Sequence, residues 1–181
     1  MKYFMMVSLG LVLLDSCSPK MEGMKEVKGP FSGSKYESNS KWFRASGSGE
    51  SMNLENSKDK ALLTAKQRLA SGVQTQMKTV SEDYKGERQA DGTIGDFNDR
   101  FQSLSREVMS QVLVEVQTID EKTFQKKDHT YITYVALEAR KKTVYKKLSE
   151  IALQKQSLSD KDKKYIQEMM NKAIKNLDDG E

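Results

Sequence analysis

The chain has 181 residues, of which 31% are charged and 36% hydrophobic, and its formal net charge at pH 7 is +4. This length suits one domain with appendages and a modest core. A net charge this small does not indicate a nucleic-acid-binding surface, so we expect no nucleic acid partner. The single cysteine excludes a disulfide within the chain and a metal site made of four thiolates.

The first sixteen residues have the three parts of a secretion signal. Lys2 provides a positive start, residues 3–14 are almost entirely apolar, and the small Ser16 precedes Cys17. This apolar run is shorter than the roughly 20 residues that cross a bilayer as a permanent helix. We interpret residues 1–16 as a lipoprotein signal peptide. There are two alternatives. One is an ordinary signal peptide followed by a free cysteine, and the other is a buried N-terminal helix.

The run Leu14-Asp15-Ser16-Cys17 resembles a bacterial lipobox, although Asp15 stands where small or apolar residues are usual. The resemblance implies that Cys17 carries diacylglycerol on its sulfur and, after cleavage, an acyl group such as palmitate on its nitrogen. Three acyl chains would anchor the protein permanently, because each buried methylene contributes about 0.8 kcal/mol. We therefore expect a lipid anchor in a cell membrane, most simply the outer membrane of a diderm bacterium.

Residues 17–40 contain both prolines and show no sustained hydrophobic period, which predicts a flexible lipidated tether. An ordered domain is predicted for residues 41–157, opening with Trp42 in a short strand that ends at Gly47-Ser48-Gly49. These glycines indicate a strand end or bulge. They do not indicate a dinucleotide site, because Met52 replaces the third glycine and no βαβ repeat follows.

Two helices are predicted after this strand. Apolar residues recur at three- and four-residue steps from Ala61 to Val80, which predicts a long helix over 54–81 with Asn53 as its cap. A second stripe predicts a helix over 97–109. Trp42 and Leu69, at the centre of the first stripe, are predicted to be core residues.

The apolar period then changes to two. Val112, Val114 and Val116 alternate with other residues, which predicts a half-buried strand. Residues 130–139 predict its hairpin partner, joined through the polar turn "QKKDH". Helices are predicted over 141–155 and within the C-terminal segment 158–181, the last with Ser159 and Asp162 as its capping pair. The order β-α-α-β-β-α-α predicts an α+β domain, a small antiparallel sheet with helices packed on one face.

Several of these stretches resemble the 20-kilodalton LPP lipoprotein family, which includes a flagellar outer-membrane lipoprotein. They are the opening Trp42, "ASGSGES" at 45–51, "ALLTAKQRLA" at 61–70 and "YITYVALEA" at 131–139. The resemblance covers roughly residues 41–155, but no proline precedes Trp42 where many members carry one. Membership implies an envelope lipoprotein with a structural or assembly role and no catalytic residues.

No constellation in the sequence predicts catalysis. The spacing of Ser57 and Lys60 matches the Ser-x-x-Lys motif of penicillin-recognising enzymes, but the partner motifs Ser-Asp-Asn and Lys-Thr-Gly are missing. We expect this pair on the solvent side of a helix start. His129 is the only histidine and lies in the predicted turn, so we interpret it as a surface residue. We therefore predict no enzyme, metal site or cofactor.

Two helical surfaces have both a structural and a functional interpretation. Lys141, Lys142, Lys146 and Lys147 form either a solvated face or a contact with anionic lipid headgroups or cell-wall polymer. The last helix carries an apolar stripe that either closes the monomer's core or pairs with a second copy. Of these two interpretations we favour the second, a homo-oligomer. That stripe consists of Ile166, Met169, Met170, Ala173 and Ile174.

Two functions of different classes follow from the sequence. The first is an envelope lipoprotein with a structural or assembly role that acts through protein-protein contacts. The second is a periplasmic or surface module that binds a small ligand or glycan, which requires polar groups converging in a concave apolar pocket. We favour the first.

Replacing Cys17 with alanine should release the protein from membranes, because the change removes the predicted site of lipid attachment. Cell fractionation, together with metabolic labelling by a fatty-acid probe, measures both consequences. An unlabelled wild type, or a variant that stays firmly in the membrane fraction, would contradict the lipid prediction.

Overall fold

The structure is a computed structural model that describes residues 27–87 and 94–179. The predicted signal peptide and Cys17 lie outside these residues. After a short 3₁₀ turn at Ser34–Tyr36, the elements follow the predicted order, which confirms the α+β class. They are β1 (Trp42–Ser51), α1 (Leu54–Glu87), α2 (Ile94–Val112), β2 (Gln117–Gln125), β3 (Tyr131–Arg140), α3 (Lys141–Gln154) and α4 (Asp160–Asp179).

The three strands form an antiparallel sheet in the order β1-β3-β2. On one face, the buried residues Phe43 of β1 and Val135 and Leu137 of β3 belong to the same core cluster as the helices. α1 lies against both β1 and β3. The prediction of a small sheet with helices on one face is therefore confirmed.

α1 approaches β1 very closely at the two glycines of the "GSG" stretch. A β-carbon added to Gly47 would lie 2.6 Å from the carbonyl oxygen of Ala61, and one added to Gly49 would lie 2.5 Å from the amide nitrogen of Ala61. Both glycines are buried within a continuous register with β3. The predicted strand end or bulge was therefore wrong, and the glycines are required because helix backbone occupies the space of a side chain.

A chain of three hydroxyl groups joins α1 to the sheet. Ser57 Oγ lies 2.8 Å from Thr133 Oγ1, which lies 2.9 Å from Thr123 Oγ1, so α1, β3 and β2 are linked. Ser57 and Thr133 are both fully buried. The expected solvent position of Ser57 was therefore wrong, while Lys60 points elsewhere and donates to the carbonyl of Glu50 at 3.1 Å.

The apolar stripe of α4 belongs to the core of the single chain. Ile166, Met169 and Met170 are at most 1% exposed, and Ala173 is buried beside them. Ile174 is partly buried and packs against the same cluster. The predicted self-association through this stripe was wrong, because the side chains that would meet a second copy already contact this chain's other helices.

α4 is also tied to α2 by a buried carboxylate. Asp162 accepts hydrogen bonds from Arg100 Nε at 3.0 Å and Nη2 at 3.2 Å, and its backbone N–H is capped by Ser159 Oγ at 3.1 Å. Burial raises the pKa of Asp162, but the hydrogen bonds from Arg100 and Ser159 outweigh it and hold that pKa below its usual value. The predicted capping pair of Ser159 and Asp162 is therefore confirmed.

The strand predicted from Val112, Val114 and Val116 was wrong. α2 continues to Val112, which is buried, and Glu115 N–H then bonds the carbonyl of Val112 at 2.9 Å in a turn. β2 begins only at Gln117 and is mostly polar. The alternation of valines gave a wrong strand prediction because Val108 and Val112 lie on one buried face of a helix. The true strand has no apolar alternation, because it is an exposed edge strand.

The other local predictions agree with the structure. Asn53 Oδ1 accepts the N–H of Asn56 at 3.0 Å and so caps α1. The turn between β2 and β3 is closed by Lys126 and Thr130, with the exposed His129 at a φ of 65°. The hairpin and the surface position of His129 are confirmed.

The segment before β1 contacts the outer face of the sheet. Tyr36 donates to Asp120 Oδ2 at 2.7 Å, and Phe31 is only 8% exposed, with its ring 4.9 Å from that of Tyr36. Residues 31–40 are therefore packed onto the domain, which differs from the predicted flexible tether over 17–40. Trp42 is half-buried, so its predicted core position was wrong, whereas Leu69 is a core residue as predicted.

Gly47→Ala should lower the free energy of unfolding by about 2 kcal/mol or more, because the new methyl group meets helix backbone that cannot rotate away. Gly72→Ala is the matched control, since Gly72 is an exposed residue of α1 with open space around it. The free energy of unfolding of that control should rise by about 0.5–1 kcal/mol, because alanine has a higher helix propensity than glycine. Urea unfolding measures both changes, and equal stabilities of the two variants would contradict the close-approach explanation.

Candidate functional site

The four lysines predicted as one basic surface are separated in the structure. Lys142 Nζ pairs with Asp178 at 2.8 Å, and Lys147 Nζ pairs with Glu115 at 2.6 Å. Lys146 is exposed, whereas Lys141 points into a groove. The predicted contact of all four with an anionic surface is therefore not supported by their positions, because two are neutralised by acidic neighbours.

The groove that contains Lys141 lies between α1, α3 and α4 and has a volume of about 560 Å³. Its apolar wall includes Val80 of α1 and Met169 and Leu177 of α4. A volume of this size lies within the roughly 300–1,000 Å³ of small-molecule sites, which are also mostly apolar with a few polar groups. This groove is the candidate functional site.

Lys141 and Tyr145 bring polar groups to this groove from the first turns of α3. The ring of Tyr145 packs edge-on against Phe43 of β1, with centroids 6.3 Å apart, and the ammonium of Lys141 lies 5.1 Å from the centroid of the same Phe43 ring. Because Lys141 and Tyr145 are four residues apart on a helix, their side chains are neighbours. Phe43 therefore positions both side chains on the groove wall.

Burial changes the ionisation of both groups. It raises the pKa of Tyr145 to about 12, so the phenol stays neutral and can donate a hydrogen bond. It lowers the pKa of Lys141, because the charged ammonium is partly removed from water. Among the described residues, neither the Tyr145 hydroxyl nor the Lys141 ammonium has a hydrogen-bond acceptor.

The opposite wall of the groove is acidic and already hydrogen-bonded in part. Tyr84 donates to Glu168 Oε2 at 2.6 Å, and Glu82 lies 3.8 Å from Lys78. Asp83 also lines this wall. The groove therefore has the donors of α3 on one side and carboxylates on the α1 side, and Lys172 of α4 is also among its lining residues.

A second cavity, of about 270 Å³, lies beside Trp42 at the start of α3. Its acidic groups are already paired, Glu138 with Arg44 at 2.9 Å and Glu115 with Lys147. This cavity offers fewer unused polar groups than the groove, so we do not assign it a ligand.

The two edges of the sheet differ in how they are covered. On β1, the hydroxyl of Ser38 bonds both backbone groups of Arg44, at 2.9 and 3.2 Å, and Arg68 Nη1 donates to the carbonyl of Ser46 at 2.8 Å. On β2, every residue except Ile119 and Asp120 is exposed, and no described side chain caps its outer backbone groups. β2 is the open edge of the described sheet.

Comparison with known proteins does not identify the chain: no family model, curated protein or solved structure matches it. Within residues 27–87 and 94–179, no helix has the length and apolar character needed to cross a membrane. The same described residues contain no cluster of three or more His, Cys, Asp or Glu side chains that could hold a metal ion.

Sequence reasoning placed Lys141 on a solvated helix face and did not single out Tyr145. A signal was present, because Tyr145 lies four residues after Lys141 and next to the buried Val144. The wall formed by α1 and α4 depends on helix packing and had no sequence signal of its own.

Tyr145→Phe should make the protein less sensitive to alkali. The folded state keeps the Tyr145 proton up to about pH 12, whereas an unfolded tyrosine releases it near pH 10, so wild-type stability falls as pH rises between these values. The lowered pKa of Lys141 has the opposite effect on stability at pH values below 10.5, the ordinary lysine value, and this effect is common to both proteins.

Urea unfolding of both proteins at pH 9 and pH 11 measures this effect. The stability difference should shift by about 1 kcal/mol in favour of the phenylalanine variant at pH 11. A difference that is the same at both pH values would show that the phenol is not protected by burial.

Proposed function

We propose that the protein is an envelope lipoprotein with a structural or assembly role, acting through protein-protein contacts that include β2 of a second copy. The lipobox-like run ending at Cys17 and the resemblance to the LPP lipoprotein family support the envelope role. The open edge of β2 supports the protein contact, because unpaired strand backbone is a template for pairing with another strand.

The geometry of the hairpin defines which backbone groups of β2 are available. Lys126 N–H donates to the carbonyl of Thr130 at 2.8 Å, which marks this pair as hydrogen-bonded. Such pairs alternate with non-hydrogen-bonded pairs along an antiparallel ladder. Lys126 and every second residue before it therefore direct their backbone groups towards β3. The residues between them, Glu121, Thr123 and Gln125, direct their N–H and C=O groups away from β3.

The register irregularity of β2 limits where a second strand can pair. The register with β3 shifts between Thr118 and Asp120, so the first part of β2 is distorted. Bulges of this kind protect an edge from unwanted pairing. The regular part from Asp120 to Gln125 is the segment that can add a strand.

The charges of this segment favour β2 of a second copy as the occupant. In an antiparallel pair centred on Thr123, Lys122 of each copy lies opposite Phe124 of the other, and Asp120 lies opposite Lys126. Within one chain Asp120 accepts from Tyr36 and Lys126 pairs with Glu50 at 2.6 Å, so the cross-strand pair would exchange these partners. Opposite charges and cation–π pairs across strands are favourable. Centring the pair one residue earlier places Lys122 opposite itself, and centring it two residues earlier places Glu121 opposite itself.

A contact of about five residue pairs is weak in free solution. A lipid anchor at Cys17 would confine all copies to one plane and raise their effective concentration. The anchor and the edge strand therefore support the same structural role: a protein that assembles laterally on a membrane surface.

Thr123→Cys in the full-length, membrane-bound chain should yield a disulfide-linked dimer under mild oxidation. The proposed register places the two 123 positions opposite each other at about 5.5 Å between Cα atoms, within the range that a disulfide spans. Thr75→Cys is the matched control, because Thr75 is exposed on α1, away from β2. Non-reducing electrophoresis measures the dimer yield.

The yield should be highest at position 123, low at position 75 and absent in the wild type, where Cys17 is blocked by lipid. Equal yields at positions 75 and 123 would show that crowding alone brings the copies together, and the β2 contact would then be rejected. A dimer formed by the wild type would instead show that Cys17 is a free thiol.

A second candidate function is a module that binds a small ligand. The groove between α1, α3 and α4 favours it, since it combines an apolar wall with the polar groups of Lys141 and Tyr145.

A further inference from the structure

Two hydrogen-bond donors without acceptors converge on one wall of the groove. Tyr145 is 2% exposed, yet among the described residues nothing accepts a hydrogen bond from its hydroxyl. That hydroxyl is not sealed from solvent, because no buried side-chain polar atom of the described chain lacks a partner. It therefore opens onto the groove that Tyr145 lines.

Lys141 adds a positive charge next to this donor. Its ammonium lies against the face of Phe43 and has no carboxylate partner within the described chain. The two donors also lie at the start of α3, where no side chain caps the helix and its dipole favours negative charge. A neutral phenol, an ammonium and a helix start together are complementary to an oxyanion.

We infer that the groove binds an amphipathic anion, a carboxylate or phosphate head held by Lys141 and Tyr145 with a short apolar portion beside Val80, Met169 and Leu177. The carboxylates of Glu82 and Asp83 on the opposite wall repel an anionic head. The head is therefore directed to α3, and the apolar portion extends along α4.

This inference is independent of the proposed contact through β2. None of the residues that line the groove belongs to β2, and the groove lies on the helical side of the sheet. Failure of ligand binding would leave the β2 contact standing, and failure of the crosslink would leave the ligand site standing.

Octanoate and octyl phosphate are suitable probes, because each joins one anionic head to a short aliphatic chain. Titration of the full-length protein in detergent micelles, followed by saturation-transfer NMR on the probe, measures binding. Octyltrimethylammonium is the control of opposite charge, and it should not compete with either anion. The relative affinities of octanoate and octyl phosphate distinguish a carboxylate from a phosphate ligand.

Tyr145→Phe and Lys141→Met should each weaken binding about tenfold, since each removes a hydrogen bond to a charged group. Lys146→Met is the matched control on the exposed side of the same helix and should leave the affinity unchanged. Tyr145→Phe preserves the ring against Phe43, so loss of binding in a variant with an unchanged thermal melt reports on the hydroxyl itself.

Four outcomes would overturn the inference, three of them in the probes and the site variants and one in the control variant. The first three are no saturable binding of either anion at millimolar concentration, equal binding of the cationic probe, and wild-type affinity in both the Tyr145 and Lys141 variants. A tenfold loss in Lys146→Met as well would show a general charge effect and would also reject the site.

Discussion

The fold depends on how closely α1 lies against β1. The absence of side chains at Gly47 and Gly49 lets the backbone of α1 touch the strand near Ala61, and Ala65 on the next turn is fully buried. Ser57, one turn earlier, bonds Thr133 of the central strand. This contact sets the position of the longest helix, and α2, α3 and α4 pack on the helical side that it creates.

In the same arrangement, the two faces and the two edges of the sheet are covered by different parts of the chain. The helices cover one face, residues 31–40 contact the other through Tyr36 and Asp120, and Ser38 and Arg68 cap the outer backbone of β1. None of these contacts caps the outer backbone of β2, which keeps an exposed edge. Among the described strands, β2 is therefore the one whose edge is most open to backbone pairing, which is the physical basis for the proposed lateral assembly.

The groove has the same origin in packing. α3 begins directly where β3 ends, at Arg140, so its first turns lie beside Phe43 of β1. α4 and the second half of α1 then form the other walls. Tyr145 and Lys141 are held partly out of water by this junction, which raises the pKa of the phenol and lowers that of the ammonium. Both groups open onto the groove without an acceptor from the described residues, and an anionic ligand would supply one.

The sequence by itself determined the α+β class, the element order, the Asn53 and Ser159 caps and the hairpin turn, because these depend on local hydrophobic period and side-chain capping. It misplaced β2, since an exposed edge strand carries no burial pattern and the valines near Val112 belong to the end of a helix. Only the tertiary structure decided which apolar stripe is internal and which lysines are paired. The stripe of α4 looks the same in sequence whether a second copy or the chain's own helices cover it, and Lys142 meets Asp178 through packing of distant segments.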